Sequence, residues 1–115
     1  MRRLRLAADF PDHMLWHEGG GAVSPEDLGV SAELCRALHE WYGLWSTIEN
    51  DEAYKRDENA TIDWSLFDVK GIELWRLLRI ELSGQYEIVY YSERFNDNFE
   101  QPLELEAILQ NEASA

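Results

Sequence analysis

The apolar stripe through residues 34–48 is the feature of this 115-residue chain that most constrains its fold. Large apolar side chains recur there at intervals of four, three, four and three residues: Leu34, Leu38, Trp41, Trp45 and Ile48. This spacing brings all of them to one face of an α-helix. Ser31 stands before the stripe and is suited to cap the first turn. The pattern therefore predicts an amphipathic helix that begins after Ser31.

A second stripe with helical spacing predicts another amphipathic helix, from about Leu66 to Leu82. Its inward positions are Phe67, Gly71, Leu74, Leu78 and Leu82. Residues 65–68 (Ser-Leu-Phe-Asp) have the capping-box pattern of a helix start, and Gly84 suits the left-handed backbone beyond a helix end. Two helices that each present an apolar face need a common surface to cover.

Strand signals lie on both sides of this helical region. Residues 86–91 are rich in β-branched and aromatic side chains and form the strongest strand candidate. Residues 4–8 begin with apolar–polar alternation, and residues 13–17 are a possible second strand after a turn. Residues 103–110 predict a short acidic helix, and residues 111–115 a loose tail.

The order of these elements predicts an α+β fold with two layers, in which two main amphipathic helices pack on a small sheet of two or three strands. The length matches a single domain that spans residues 1–115. Because a two-stranded sheet is marginally stable, we expect a third strand or a homodimer that completes the sheet through the Tyr86–Tyr91 edge.

The charge of the chain restricts the classes of partner. Ten Lys and Arg stand against 23 Asp and Glu, so the formal net charge is −13. Such a field repels nucleic acid and anionic lipid and attracts basic proteins or cations, although acidity also serves solubility alone. No apolar run is long enough for a membrane helix, and no signal-like segment follows the basic start. The single cysteine, Cys35, cannot form an internal disulfide, so we expect a cytoplasmic location.

Residue types suited to metal binding or catalysis are concentrated near the start of the chain. Asp9, Asp12, His13 and His17 have the oxygen and nitrogen atoms that divalent ions accept as ligands. They also fit a second interpretation, as polar residues on a hairpin edge, because His13 and His17 on one strand would lie about 13 Å apart. The sequence contains no HExxH, GxSxG or phosphate-binding glycine motif, and we predict no cofactor.

Two stretches carry a combination of core and capping residues. The first contains Leu15, Trp16, Gly19, Pro25, Glu26, Leu28, Ser31, Leu34, Leu38, Trp41 and Tyr42. The second contains Gly71, Glu73, Leu74, Leu78, Arg79, Glu81, Leu82, Tyr86, Val89, Tyr91 and Glu93. Together, over about residues 14–93, they resemble a group of short acidic bacterial proteins, notably from actinobacteria. That group has no assigned activity, so the resemblance implies no catalytic residues.

These observations favour a protein-interaction module that binds a basic partner protein. Bacterial immunity proteins, which block toxins in this way, are similar in size and charge. The candidate contacts are acidic groups of the 49–63 loop and the 93–112 segment, chiefly Glu49, Asp51, Glu52, Asp57 and Glu58. Charge complementarity at such a surface would speed association, and salt would weaken it.

Two other functions are alternative hypotheses. A small metal-dependent hydrolase would need the four metal-ligand candidates near the start of the chain to converge within about 2–2.5 Å of one ion. A small-molecule-binding module would need a pocket of at least about 300 Å³, lined by Trp41, Trp45 or Trp75.

Overall fold

The computed structural model describes the backbone of residues 1–50 and 58–114 and the side chains of residues 1–50 and 63–112. Within these ranges the chain forms five strands and three α-helices. In chain order they are β1 (Arg2–Asp9), β2 (His13–His17), β3 (Gly21–Ala22), α1 (Ala32–Glu49), α2 (Glu58–Glu81), β4 (Tyr86–Ser92), β5 (Asp97–Phe99) and α3 (Pro102–Ser114). A single turn of 3-10 helix, Glu26–Leu28, precedes α1.

The five strands form one mixed sheet in the order β3–β2–β1–β4–β5. Strands β1 and β4 are parallel, and the other three pairs are antiparallel. A parallel pair requires a long crossover connection, which here contains α1 and α2. The predicted α+β class is confirmed, but the predicted sheet of two or three strands is too small. Strands β3 and β5 have only two and three residues, too few to show an alternating pattern.

Strand β4 lies between β1 and β5: residues 86–90 pair with β1 on one side, and residues 90–92 pair with β5 on the other. Within the chain, β5 therefore pairs with only the last part of the edge that we expected a second copy to use, and the homodimer stays a prediction. The β-branched and aromatic side chains that make residues 86–91 such a strong strand signal are typical of an inner strand as well as of an edge.

Alternation along the strands separates a helix-covered face of the sheet from an open face. Leu4 and Leu6 of β1 and Ile88 and Tyr90 of β4 are buried in the core with residues of α1 and α2. The residues that alternate with these four, and the residues paired with them on the neighbouring strands, point to the open face. Five of these open-face side chains are not buried: Arg3, Arg5, Trp16, Val89 and Tyr91. The helices thus cover one side of the sheet and leave these five side chains on the other.

Aromatic rings join the helices to the sheet on the covered face. Trp41 of α1 stacks on Phe67 of α2 with ring centroids 4.4 Å apart, and Trp75 of α2 stacks on Tyr90 of β4 at 5.4 Å. The indole N–H of Trp75 donates to the carbonyl of Ile88 at 2.7 Å. All three tryptophans proposed for a ligand pocket are core residues: Trp41, Trp45 and Trp75 are 3%, 5% and 0% exposed.

The helix bounds agree with the sequence at α1 and differ at α2. Ser31 caps α1, because its Oγ accepts a hydrogen bond from the Leu34 N–H at 3.3 Å. The Ser31 N–H and hydroxyl both donate to the Glu81 carboxylate at 2.7 Å, which joins the start of α1 to the end of α2. Helix α2 begins at Glu58, so Ser65 lies inside the helix and not at its start. The last helix, α3, continues through Ser114.

Candidate partner-binding site

A hollow of about 330 Å³ lies where β1 and β4 end. Because the two strands are parallel, Asp9 at the end of β1 and Glu93 just after β4 come to the same edge of the sheet. The end of α1 adds Trp45 and Glu49. We call this hollow the acidic pocket, and its lining residues are Arg5, Ala7, Ala8, Asp9, Trp16, Trp45, Glu49, Tyr91 and Glu93.

Glu93 is the carboxylate of the acidic pocket whose pKa is clearly raised. Burial raises the pKa of Glu93 to about 7, and the negative charges of Glu49, Asp68 and Asp9 act in the same direction. The indole N–H of Trp45 donates to Glu93 Oε1 at 3.0 Å and opposes this rise in pKa. The pocket therefore contains a carboxyl group that exchanges its proton near neutral pH.

A buried carboxylate on α2 holds the segment that carries Glu93. Asp68 is 0% exposed. Its Oδ2 accepts hydrogen bonds from the Ser92 hydroxyl at 2.6 Å and from the Arg94 N–H at 3.3 Å, and its Oδ1 accepts one from the Tyr90 hydroxyl at 2.7 Å. Burial raises the pKa of Asp68, although these donors act against the rise. Because Ser92 and Arg94 are both bound to Asp68, the backbone on each side of Glu93 is fixed.

Tyr90 reaches Asp68 only because α2 has a glycine at the crossing point. A Cβ atom built on Gly71 would lie 2.6 Å from Tyr90 Cζ and would overlap the hydroxyl oxygen. The sequence placed Gly71 on the inward stripe of the predicted second helix. The stripe did not show that a glycine is needed there to make room for the Tyr90 ring. The close approach of β4 to α2 explains the glycine.

Of the aromatic side chains that line the acidic pocket, Trp45 is supported from outside the pocket by Phe10 and Tyr42. The ring of Phe10, which is 50% exposed in the β1–β2 turn, contacts Trp45 edge-on with centroids 4.9 Å apart. Tyr42 lies on another side of Trp45, with centroids 5.6 Å apart. The indole N–H of Trp16 donates to the carbonyl of Ala7 at 2.7 Å, so this wall is also held in place.

The structure places one of the five predicted partner contacts in the acidic pocket. Glu49 lines it. Asp51, Glu52 and Asp57 lie outside the described residues, and Glu58 is the first residue of α2 with a side chain outside the described set. Glu93 belongs to the acidic 93–112 segment, which the sequence singled out as a whole. Its burial depends on residues that are far away in the chain, so the sequence did not distinguish it from the other acids of that segment.

The four metal-ligand candidates are spread along the β1–β2 hairpin. Asp9 ends β1, Asp12 lies in the turn, and His13 and His17 are the first and last residues of β2. Among the side chains that the structure describes, no group of three or more His, Cys, Asp or Glu is arranged to hold a metal ion.

Asp12 instead contacts a histidine of α1. Asp12 Oδ1 lies 3.3 Å from His39 Nδ1, and Glu26 Oε1 lies 2.7 Å from His39 Nε2. The Glu26 carboxylate, and after it Asp12, raise the pKa of His39. Cys35, nearby on α1, is buried with a pKa raised mainly by desolvation, and its thiol donates to the Val30 carbonyl at 3.4 Å. Through His39, these contacts join α1 to the β1–β2 turn at Asp12 and to the 3-10 turn at Glu26.

A family model described as Serratia CdiI immunity protein-like matches residues 2–93. The chain belongs to this family. The match contains β1–β4, α1 and α2 and ends at Glu93, so the residues of the acidic pocket all lie inside it. A search of curated proteins found no match. No helix in the described ranges is both long and apolar enough to cross a membrane.

Membership of an immunity protein-like family supports an inhibitor-type protein-interaction module, as the acidity and size suggested. Such a module acts through a partner protein. Within the family match, the acidic pocket combines three carboxylates with three aromatic walls: Asp9, Glu49, Glu93, Trp16, Trp45 and Tyr91. This combination suits contact with a protein surface, because aromatic side chains are enriched at interface cores.

Glu93 also leads to a prediction about stability. Between its ordinary pKa of 4.5 and its folded pKa of about 7, the folded state keeps a proton that the unfolded state has lost. The free energy of unfolding therefore falls as pH rises through this window. Since Glu93 is partly exposed, solvent screening limits the fall to about 1–2 kcal/mol. We expect Glu93→Gln to stabilise the protein by about that amount at pH 8 and little at pH 4.5, as measured by urea unfolding.

The control for this experiment is Glu73→Gln, which removes an exposed carboxylate from α2. His39, with its raised pKa, also stabilises the fold at low pH and loses this effect as pH rises through its folded pKa. The informative quantity is therefore the difference between wild type and variant at each pH. A Glu93→Gln protein with the same pH dependence as wild type would show that Glu93 titrates normally.

Proposed function

We propose that this chain is an immunity-type inhibitor that binds a basic partner protein, and that its acidic pocket receives a Lys or Arg side chain of that partner. The observation that carries the proposal is the convergence of Asp9, Glu49 and Glu93 on one aromatic-walled hollow in a member of an immunity protein-like family. The net charge of −13 would add long-range attraction to a basic surface.

The partial burial of Glu93 supports a cation as the occupant of the pocket. A carboxylate removed from water attracts a cation more strongly than a surface carboxylate does, because less solvent screens the pair. The fold already buries part of Glu93, so the partner's cation does not have to supply that part of the desolvation. Trp16, which is half-buried, offers an apolar wall for the aliphatic stem of Lys or Arg and a ring for cation–π contact. Trp45 is buried and adds a small apolar part of the wall.

A cation in the pocket would also change the protonation of Glu93. It favours the ionised carboxylate, so binding lowers the pKa of Glu93 and releases a proton. We therefore expect the dissociation constant to decrease as pH rises from 6 to 8. This dependence should be absent in Glu93→Gln.

The experiment begins with affinity capture from a lysate of the source organism at low and high salt, followed by mass spectrometry. The basic protein retained at low salt is then purified, and its dissociation constant is measured by calorimetry. We expect the double variant Glu49→Gln/Glu93→Gln to bind at least about 30-fold more weakly than wild type, because it leaves the partner's cation without its counter-charges. The matched control is Glu40→Gln/Glu73→Gln, which changes the net charge equally at exposed positions of α1 and α2.

Two outcomes would contradict the proposal. Equal losses in both double variants would mean that only overall charge matters and that the acidic pocket has no special part. Capture of no basic protein at low salt would remove the basic-partner hypothesis.

A further inference from the structure

Two arginines on the open face of the sheet, Arg3 and Arg5, differ in the ion pairs that their guanidinium groups form. Arg3 lies within 3.5 Å of Glu87 Oε2 and 3.4 Å of Glu100 Oε1. Arg5, two residues further along β1 and on the same face, is exposed and has no hydrogen bond or ion pair with any residue that the structure describes. Its guanidinium group is therefore available for contact with another molecule.

Arg5 stands between two depressions of the surface. It lines the acidic pocket and also a larger hollow of about 700 Å³ over the open face, which Arg3, Val89 and Asn98 line as well. A partner side chain in the acidic pocket would bring its neighbouring surface over Arg5. The arginine thus lies inside the area that the proposed partner would cover.

The side chains around Arg5 are held in place. Trp16 is its direct neighbour on β2 and Val89 its neighbour on β4. The Trp16 indole N–H donates to the Ala7 carbonyl, and the Tyr91 hydroxyl donates to Asn96 Oδ1. A prearranged surface loses little conformational freedom on binding. Trp, Tyr and Arg are also the residue types most enriched among side chains that dominate interface energetics.

We propose that Arg5 is a second anchor, which pairs with a carboxylate of the partner protein beside the basic side chain held in the acidic pocket. This inference rests on the proposed function. The planar guanidinium group of Arg5, next to Trp16 in the sheet, suits the two-point geometry of a carboxylate. A uniformly basic surface would instead be repelled by Arg5. The anchor therefore selects a partner with alternating charge and rejects other basic proteins.

The test is the effect of charge reversal at Arg5 on the dissociation constant for the basic protein captured and purified as above. If only net charge mattered, Arg5→Glu would make the chain more acidic and tighten binding to a basic protein. With a carboxylate opposite Arg5, we expect the reverse: at least about 30-fold weaker binding for Arg5→Ala and a larger loss for Arg5→Glu. Arg36→Glu, an equal charge change at an exposed position of α1, is the matched control.

The pairing is identified by rescue. Lysine substitutions of acidic residues on the partner's surface are combined with Arg5→Glu, and one of them should restore binding. Circular dichroism checks that the Arg5 variants remain folded. Unchanged or tighter binding by Arg5→Glu, while the Glu49/Glu93 double variant still loses binding, would overturn this inference and leave the proposed function intact. Full binding by the Glu49/Glu93 double variant would overturn both.

Discussion

Replacing Gly71 with alanine is expected to lower the free energy of unfolding by about 3–5 kcal/mol. The new methyl group would lie 2.6 Å from Tyr90 Cζ and 2.7 Å from Cε2 and would overlap the hydroxyl. Tyr90 cannot retreat, because it is 0% exposed and its ring stacks on Trp75. Overpacking costs about 1–3 kcal/mol, and losing the hydrogen bond to the Asp68 carboxylate about 1.5–3 kcal/mol.

Helix propensity alone would make a glycine-to-alanine substitution stabilising, so a second helical glycine serves as a control. Alanine is preferred over glycine inside a helix by about 1 kcal/mol. A Cβ on Gly43 of α1 would meet no described heavy atom within 4 Å. Gly43→Ala should therefore stabilise the protein slightly, whereas Gly71→Ala should destabilise it strongly. Chemical denaturation of both variants measures the contrast, and equal stability of the two would refute the close approach of Tyr90 to α2.

Replacing Asp68 with alanine is the second large change. It removes the acceptor for the hydroxyls of Tyr90 and Ser92 and for the Arg94 N–H, which leaves buried donors without partners. Each unsatisfied donor costs about 1–3 kcal/mol. After partial rearrangement, we expect a loss of about 3–5 kcal/mol in the free energy of unfolding, measured by urea titration.

The Asp68 variant also tests the connection between the core and the acidic pocket. Asp68 holds both neighbours of Glu93, so its removal should free the segment and let the Glu93 carboxylate reach water. We expect the pKa of Glu93, followed by NMR titration, to fall from about 7 towards its ordinary value of 4.5. Glu73→Ala, which removes an exposed carboxylate from the same helix, should leave both stability and this pKa nearly unchanged. A normal Glu93 titration in wild type would contradict this account.

Local patterns predicted the elements whose burial is regular. The apolar stripe from Leu34 to Ile48 and the cap at Ser31 are confirmed in α1, and the aromatic and β-branched run is confirmed in β4. The start of α2 was predicted too late, at about Leu66, because residues 58–65 lack an apolar stripe. Strands β3 and β5 were missed, since two or three residues pair with a neighbour without any periodic signal.

Of the candidate site, the sequence predicted the negative charge but not the arrangement of the residues. Glu49 was named because it begins an acidic region. The chemistry of Glu93 was not foreseen, because its raised pKa comes from burial beside Trp45 and from charges at Asp9, Glu49 and Asp68. These residues are far apart in the chain and meet only at the sheet edge.

The sequence by itself determined the α+β class, the faces of α1 and α2, and the acidity that favours a basic partner. These properties follow from spacing and composition, which act between near neighbours or over the whole surface. Only the tertiary structure decided that β1 and β4 are parallel and end together. That arrangement buries part of one carboxylate, Glu93, and places Arg5 beside it without an ion pair to any of the described residues. Burial and pairing depend on which distant segments come into contact.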